Sequence, residues 1–354
     1  MIFYLTNIAL ILIWGVILLR MNPSEKKKKI YCIIVALQWI LLSGFRDWSI
    51  GSDTYAYYHL FERTKTMSWN YLFTGCYDYL FNTFEDYKDP GYFLLMKIFQ
   101  VFSGNYQVFL IFIAALFTGL MSYWIYKYST MPDVSFIIYS TLFYSFYAVT
   151  GHRQTIATAL IVFVGYELIK KREYMKFAVV AFIAFMIHKS SIVFILFAVI
   201  ANINLSFIYI SLMSMGIMAI TALGIRFYGP IVLLLGFEEE YLEYEGGAEV
   251  YATVLLLVCL ATFCFYPWIS KRREDTKYLY NMTFLTTAST LLIYQQQGFM
   301  RIQQYYSMII MITVPELIQS LEKKYRPWAY LAMVAVLVFH LIRSKAKYAF
   351  FFLT

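Results

Sequence analysis

Ile2 to Leu19 and Tyr106 to Tyr126 each run for about five helical turns without a charged side chain, and runs of that length decide which solvent the chain folds in. A hydrocarbon interior cannot satisfy free backbone N–H and C=O groups, so a chain that crosses it must do so as helices or as a closed barrel. A barrel needs short segments of alternating polarity. These runs are continuous, so the helical solution is expected. The composition agrees: of 354 residues, 61% are apolar and 14% charged. The expectation is an all-α, polytopic helical membrane protein with no separate soluble domain.

Reading for further apolar runs places spans near 2–19, 30–44, 106–126, 134–150, 154–169, 176–187, 191–202, 206–224, 250–270, 279–294, 302–320 and 327–342, about twelve in all. Several are short for a straight crossing, and 92–103 is amphipathic, so it is expected as a re-entrant or interfacial helix. The chain 1–354 then forms one transmembrane domain with two long connections, 45–105 and 225–249. Alternate connections at 20–29, 127, 170–176, 203–205, 271–277 and 322–326 hold 17 of the 29 basic residues, whereas the two long ones carry 13 of the 21 acidic residues. The positive-inside bias therefore puts both termini and the long loops outside the cytoplasm, although Arg343, Lys345 and Lys347 in the tail run against it. The first apolar run has no basic leader and no small-residue cleavage site, so a retained first helix is expected. The four cysteines have no metal-ligand spacing, and neither a metal nor another cofactor is expected. No nucleic-acid partner is expected either.

With this arrangement four polar segments collect on the outer side: Gly44 to Tyr55, Gly151-His-Arg-Gln154, His188-Lys-Ser-Ser191 and Gln295 to Arg301. Each has a structural reading. An arginine at a span end can snorkel to the headgroups, Asp53 can cap the helix-like stretch that follows it, and Trp48, Tyr55 and Tyr58 can form an interfacial belt. Together they suggest more. Arg46, Arg153 and Arg301 lie on a face where basic residues are disfavoured, and the guanidinium fork suits phosphate oxygens. A diphosphate at headgroup level is a natural ligand for them. A neighbouring imidazole or carboxylate, His188 or Asp53, can then take a proton from an attacking hydroxyl. His188 is preferred as the base, because nearby arginines favour a neutral imidazole but weaken a carboxylate as a base. The loop 45–91 with its 92–103 segment is expected to roof the site. There is no P-loop, GxSxG or HExxH pattern.

At these positions the chain resembles the EpsG family of Wzy-like polysaccharide polymerases. The features that carry the resemblance are Phe45-Arg46 with Gly51-Ser-Asp-Thr-Tyr55, then Asp89-Pro-Gly-Tyr92, Arg153-Gln154, His188-Lys-Ser-Ser191, and Arg301 with Tyr305 and Tyr306, in the family's order. Asp89 stands where the family more often has Glu. The resemblance implies a GT-C-like glycosyltransferase that joins undecaprenyl-diphosphate-linked oligosaccharides at the outer face of the bacterial inner membrane. It implies His188 and Asp53 as catalytic candidates, Arg46, Arg153 and Arg301 on the diphosphate, and Asp47, Tyr55, Gln154 and Tyr305 as substrate contacts. Its partners would be the lipid-linked donor and acceptor, membrane lipid, and chain-length regulator proteins.

Two other readings stay open. Asp47 and Asp53 in a first outer loop also suit a transferase using lipid-monophosphate sugars. A lipid-oligosaccharide flippase would instead need charged or broken helices at mid-membrane, and Glu167 and Glu316 both lie near the cytoplasmic span ends.

Overall fold

The computed structural model describes residues 1–81, 88–222, 249–293 and 297–352. These residues are all-helical, with an isolated bridge between Arg46 and Phe350 as the sole strand-like pairing among them. In chain order the helices are α1 (Ile2–Arg20, its last turns of the wider π type), α2 (Glu25–Gly44), α3 (Thr54–Thr66), α4 (Trp69–Phe81), α5 (Pro90–Gln100) and α6 (Tyr106–Tyr128). Next come α7 (Pro132–Ile138), α8 (His152–Thr158), α9 (Gly165–Lys170), α10 (Tyr174–Ile187), α11 (Ile195–Ile200) and α12 (Phe207–Ala222). The last five are α13 (Glu249–Ser270), α14 (Thr276–Ile293), α15 (Met300–Ser307), α16 (Ile310–Ser320) and α17 (Arg326–Arg343). Stretches of π turns carry α7 on to Thr150 and join α8 to α9, while a 3₁₀ stretch, Lys189–Phe194, leads into α11.

Among the described residues four helices, α1, α6, α13 and α17, are by length and composition fit to cross a membrane. Of the other expected spans, 30–44 and 279–294 coincide with the unbroken α2 and α14, and the rest with shorter or broken helices: π turns interrupt 134–150 and 154–169, and 302–320 divides into α15 and α16. The expected loop 225–249 falls, all but its final residue, outside the described residues, as do Gln295 and Gln296. The loop 45–105 holds α3, α4 and α5. Its amphipathic 92–103 segment corresponds to α5, which packs against α3, α4 and α10.

A large aromatic core joins α2, α6 and the helices from α7 to α9 through buried Trp39, Phe117, Trp124, Tyr139 and Tyr166. A second, smaller core of Tyr57, Phe61, Tyr92, Met96, Tyr106 and Phe109 fixes the loop helices on one end of α6. At the other end of α6, basic and acidic side chains interlock: Lys127 with Glu167, Lys170 with Asp275, and Arg273 with Asp275 and Glu316 at 2.8 and 2.9 Å. These pairs join links rich in Lys and Arg. The two charge environments are separated by the 23 residues of α6, about 35 Å of helix.

Candidate active site

The loop after α2 is tied down by its own polar residues. Arg46 is only 2% exposed, and its guanidinium donates to the Ser43 and Val149 carbonyls while its Nη2 lies 2.8 Å from His152 Nε2. Thr54 Oγ1 donates to the same Val149 carbonyl at 3.1 Å. Gly51 makes this approach possible: its φ is +109°, and a Cβ there would come within 2.7 Å of that oxygen. Asp47 accepts from the Ser49 N–H at 2.8 Å and from its hydroxyl, which closes a local turn. The ring of Tyr57 stacks on His152 with centroids 4.5 Å apart, docking α3 against the start of α8.

A second polar cluster forms where α5 meets the end of α10. Asp89 takes the left-handed conformation (φ 57°), one that Asp tolerates better than most residues, and Pro90 opens α5 directly after it. Gly91 lets α5 approach closely, because an added Cβ would stand 2.7 Å from the backbone of Met186, two residues before His188. The carboxylate of Asp89 is thereby brought to three donors: His188 Nδ1 at 3.2 Å and Arg153 Nη1 at 2.8 Å reach Oδ2, and the Lys189 N–H reaches Oδ1 at 3.0 Å. Burial alone would raise the Asp89 carboxyl, but the imidazole, the guanidinium and the N–H outweigh it and hold the group below the usual carboxylate range.

An ionised Asp89 can only accept, so His188 Nδ1 carries the proton and Nε2 presents its lone pair. Among the described residues Nε2 is buried without a hydrogen-bond partner. Burial lowers the His188 pKa more than Asp89 raises it, and the charges of Arg153 and Arg301 lower it further. Arg153 meets the same Asp89 oxygen as His188. The Arg153 Nε is also buried without a partner among the described residues. Gln154 Nε2 donates to the Arg301 carbonyl at 2.8 Å and to Gln304 Oε1 at 3.2 Å, which joins α8 to α15. The Tyr305 hydroxyl lies 3.1 Å from Ser190 Oγ, joining α15 to the segment after His188.

A family model described as the EpsG family matches residues 29–352, nearly the whole chain. The chain belongs to the EpsG family. That family is one of Wzy-like polymerases. Comparison with curated proteins and with solved structures returned no match. The EpsG match extends to the C-terminal tail, where the Asp47 N–H donates to the Ala349 carbonyl at 2.9 Å and the Phe351 N–H to that of Phe45 at 3.1 Å.

Placed in this EpsG chain, the residues singled out in the sequence separate into two groups. His188 and Arg153 meet at Asp89, Tyr305 reaches the segment after His188 through Ser190, and Gln154 bonds the Arg301 carbonyl. Arg46 does not join them: its two Nη groups reach Ser43, Val149 and His152 and tie the loop to the bundle, while its Nε, like that of Arg153, is buried without a partner among the described residues. Asp47 is likewise occupied in its own turn. Asp53 is exposed and its side chain makes no capping bond to α3, contrary to the expected N-cap, and Tyr55 is exposed beside Trp48 and His59. The carboxylate that meets His188 is Asp89, and the imidazole beside Arg46 is His152. Neither was among the expected site residues, although both lie inside segments that carry the family resemblance or the outer polar groups.

Proposed function

We propose that this protein joins diphosphate-lipid-linked oligosaccharide repeat units by glycosyl transfer at the outer face of a bacterial inner membrane, with His188 as general base and Asp89 as its orienting partner. The observation that carries the reading is the Asp89–His188–Arg153 cluster with its unpartnered Nε2, set beside a second arginine at the end of the bundle where the chain is least basic. In this reading an acceptor hydroxyl attacks the anomeric carbon of the donor glycan while His188 Nε2 takes its proton. The bond from that carbon to the lipid diphosphate breaks, and its electron pair stays on the departing diphosphate oxygen. Arg153 and Arg301 stabilise the charge that develops there. Because the leaving group is already activated, positioning, charge stabilisation and one proton acceptor are sufficient. Twelve crossings, with both termini and the 45–105 loop outside, complete the proposal, and chain-length regulators are candidate partners.

The test is to incubate the purified protein in nanodiscs with lipid-diphosphate-linked repeat units and resolve the products by size. A ladder of longer lipid-linked chains is the expected result. Transport of labelled units across a sealed vesicle without lengthening would overturn it in favour of a flippase.

A further inference from the structure

Beside α3 lies a cavity of about 410 Å³, whose lining includes Trp48, Tyr58, Glu62, Asn105, Tyr106 and Gln107. Trp48 is 38% exposed, and its ring stacks on Tyr58 with centroids 5.0 Å apart and planes 27° apart. Tyr106, also in the lining, packs against Tyr58 in a T-shaped contact at 5.4 Å. The platform is therefore held in place before any ligand arrives. Around it stand groups that bond hydroxyls. Glu62 is half-exposed and salt-bridged to Lys65 at 2.6 Å. Asn105 uses its side-chain oxygen to cap α6 through the Gln107 N–H at 2.8 Å, which leaves its NH₂ group as a donor. Gln107 donates to the Gly44 carbonyl, and its own amide oxygen remains an acceptor.

A tryptophan at this level of a membrane protein ordinarily anchors in the headgroups. A carboxylate, two carboxamides and a rigid aromatic face around one concavity are a poor match for lipid but a good one for a pyranose, which offers apolar C–H faces and a rim of hydroxyls. We propose that this cavity is a glycan-binding site, in which the Trp48–Tyr58 platform holds a sugar ring of the growing chain away from the reacting end. The assignment to the growing chain rests on the polymerase reading; the glycan chemistry does not. The two sites adjoin along α3: Tyr58 lines the cavity, the adjacent Tyr57 stacks on His152 and lies beneath the Arg153 guanidinium at 5.7 Å, and Tyr106, also in the lining, has its ring 6.4 Å from that of His152. A chain held there has its reactive end and its body on adjoining faces of one helix.

The probe is the oligosaccharide released by mild acid from the producing strain's own lipid-linked repeats, titrated by calorimetry against the full chain in nanodiscs. Trp48→Ala is expected to weaken binding about fivefold or more, with Trp48→Phe recovering most of it. The same Ala variant should shift the product ladder toward short chains. Unchanged binding in the Ala variant, measured on protein of wild-type thermal stability, overturns the site. Weakened binding with an unaltered ladder overturns its assignment to the growing chain. A wild-type protein that binds the oligosaccharide yet joins no lipid-linked units sinks the polymerase reading and leaves the glycan site standing.

Discussion

An imidazole and a carboxylate that share a hydrogen bond set each other's protonation, and at Asp89 and His188 the outcome has a definite sign. Asp89 is held below the usual carboxylate range and His188 below its ordinary value of about 6.5, so at neutral pH the pair is a carboxylate beside a neutral imidazole. A base of this kind fails only when pH falls far enough to protonate it. The kcat/KM profile for polymerisation should be flat downward from neutrality and fall only below about pH 6.5. His188→Gln should lower the rate by about 10²–10⁴-fold and abolish that acid limb. A limb that persists in the Gln variant would assign the titration elsewhere. Arg46 and Arg301 should separate under the same conservative change. Arg46→Lys loses a fork that serves two carbonyls and a histidine, so thermal stability should drop by about 1–3 kcal/mol. Arg301→Lys should keep its stability and lose about tenfold or more in turnover. Equal losses of both kinds at both positions would refute the division. The sequence singled out His188 and three arginines from their sidedness, and of the three arginines Arg153 shares Asp89 with His188 while Arg46 packs against His152. It did not separate Asp53 from Asp89, because each precedes a helix and nothing local reveals which one lies within reach of a histidine about a hundred positions on.

That reach is decided at the level of the element, by how α5 sits on α10. The amphipathic pattern of 92–103 was enough to anticipate α5, and the apolar runs on either side of His188 to anticipate α10 and the 3₁₀–α11 segment. Their docking was not legible, since it depends on the absence of a side chain at Gly91. Gly91→Ala introduces a methyl group 2.7 Å from the Met186 backbone, and backbone cannot step aside as a flexible side chain can. The variant should shift α5 outward and draw Asp89 from His188. Polymerisation should fall steeply while the bulk of the helix bundle, built on the separate core around α6, keeps its circular dichroism. Normal activity in Gly91→Ala would mean that the Asp89–His188 contact is dispensable.

At the scale of the whole molecule, the charge pattern and the packing can be tested against each other through the C-terminal tail. Arg343, Lys345 and Lys347 argue for a cytoplasmic tail by the positive-inside bias, whereas alternation of spans puts it outside. The structure pairs the tail with the end of α2 that carries Arg46: Tyr348 donates to the Leu42 carbonyl at 2.9 Å, and Phe3 packs its ring on Tyr348 and Phe350 at 5.2 and 5.1 Å. Both ends of the chain thus lie at the site end of the bundle, and the Lys127–Glu167 and Arg273–Glu316 network at the other. Three tail charges are a weak signal against a fixed tertiary contact, because the bias acts during insertion and is cumulative over all connections. In a cysteine-free background, Ser52→Cys and Lys347→Cys should therefore react with a membrane-impermeant maleimide added to intact spheroplasts. Lys171→Cys, exposed at the opposite end, should react only after permeabilisation. If position 347 labels with 171 instead of with 52, the tail cannot lie against α2 in the membrane, and the outward placement of the His188 cluster would lose its main structural support.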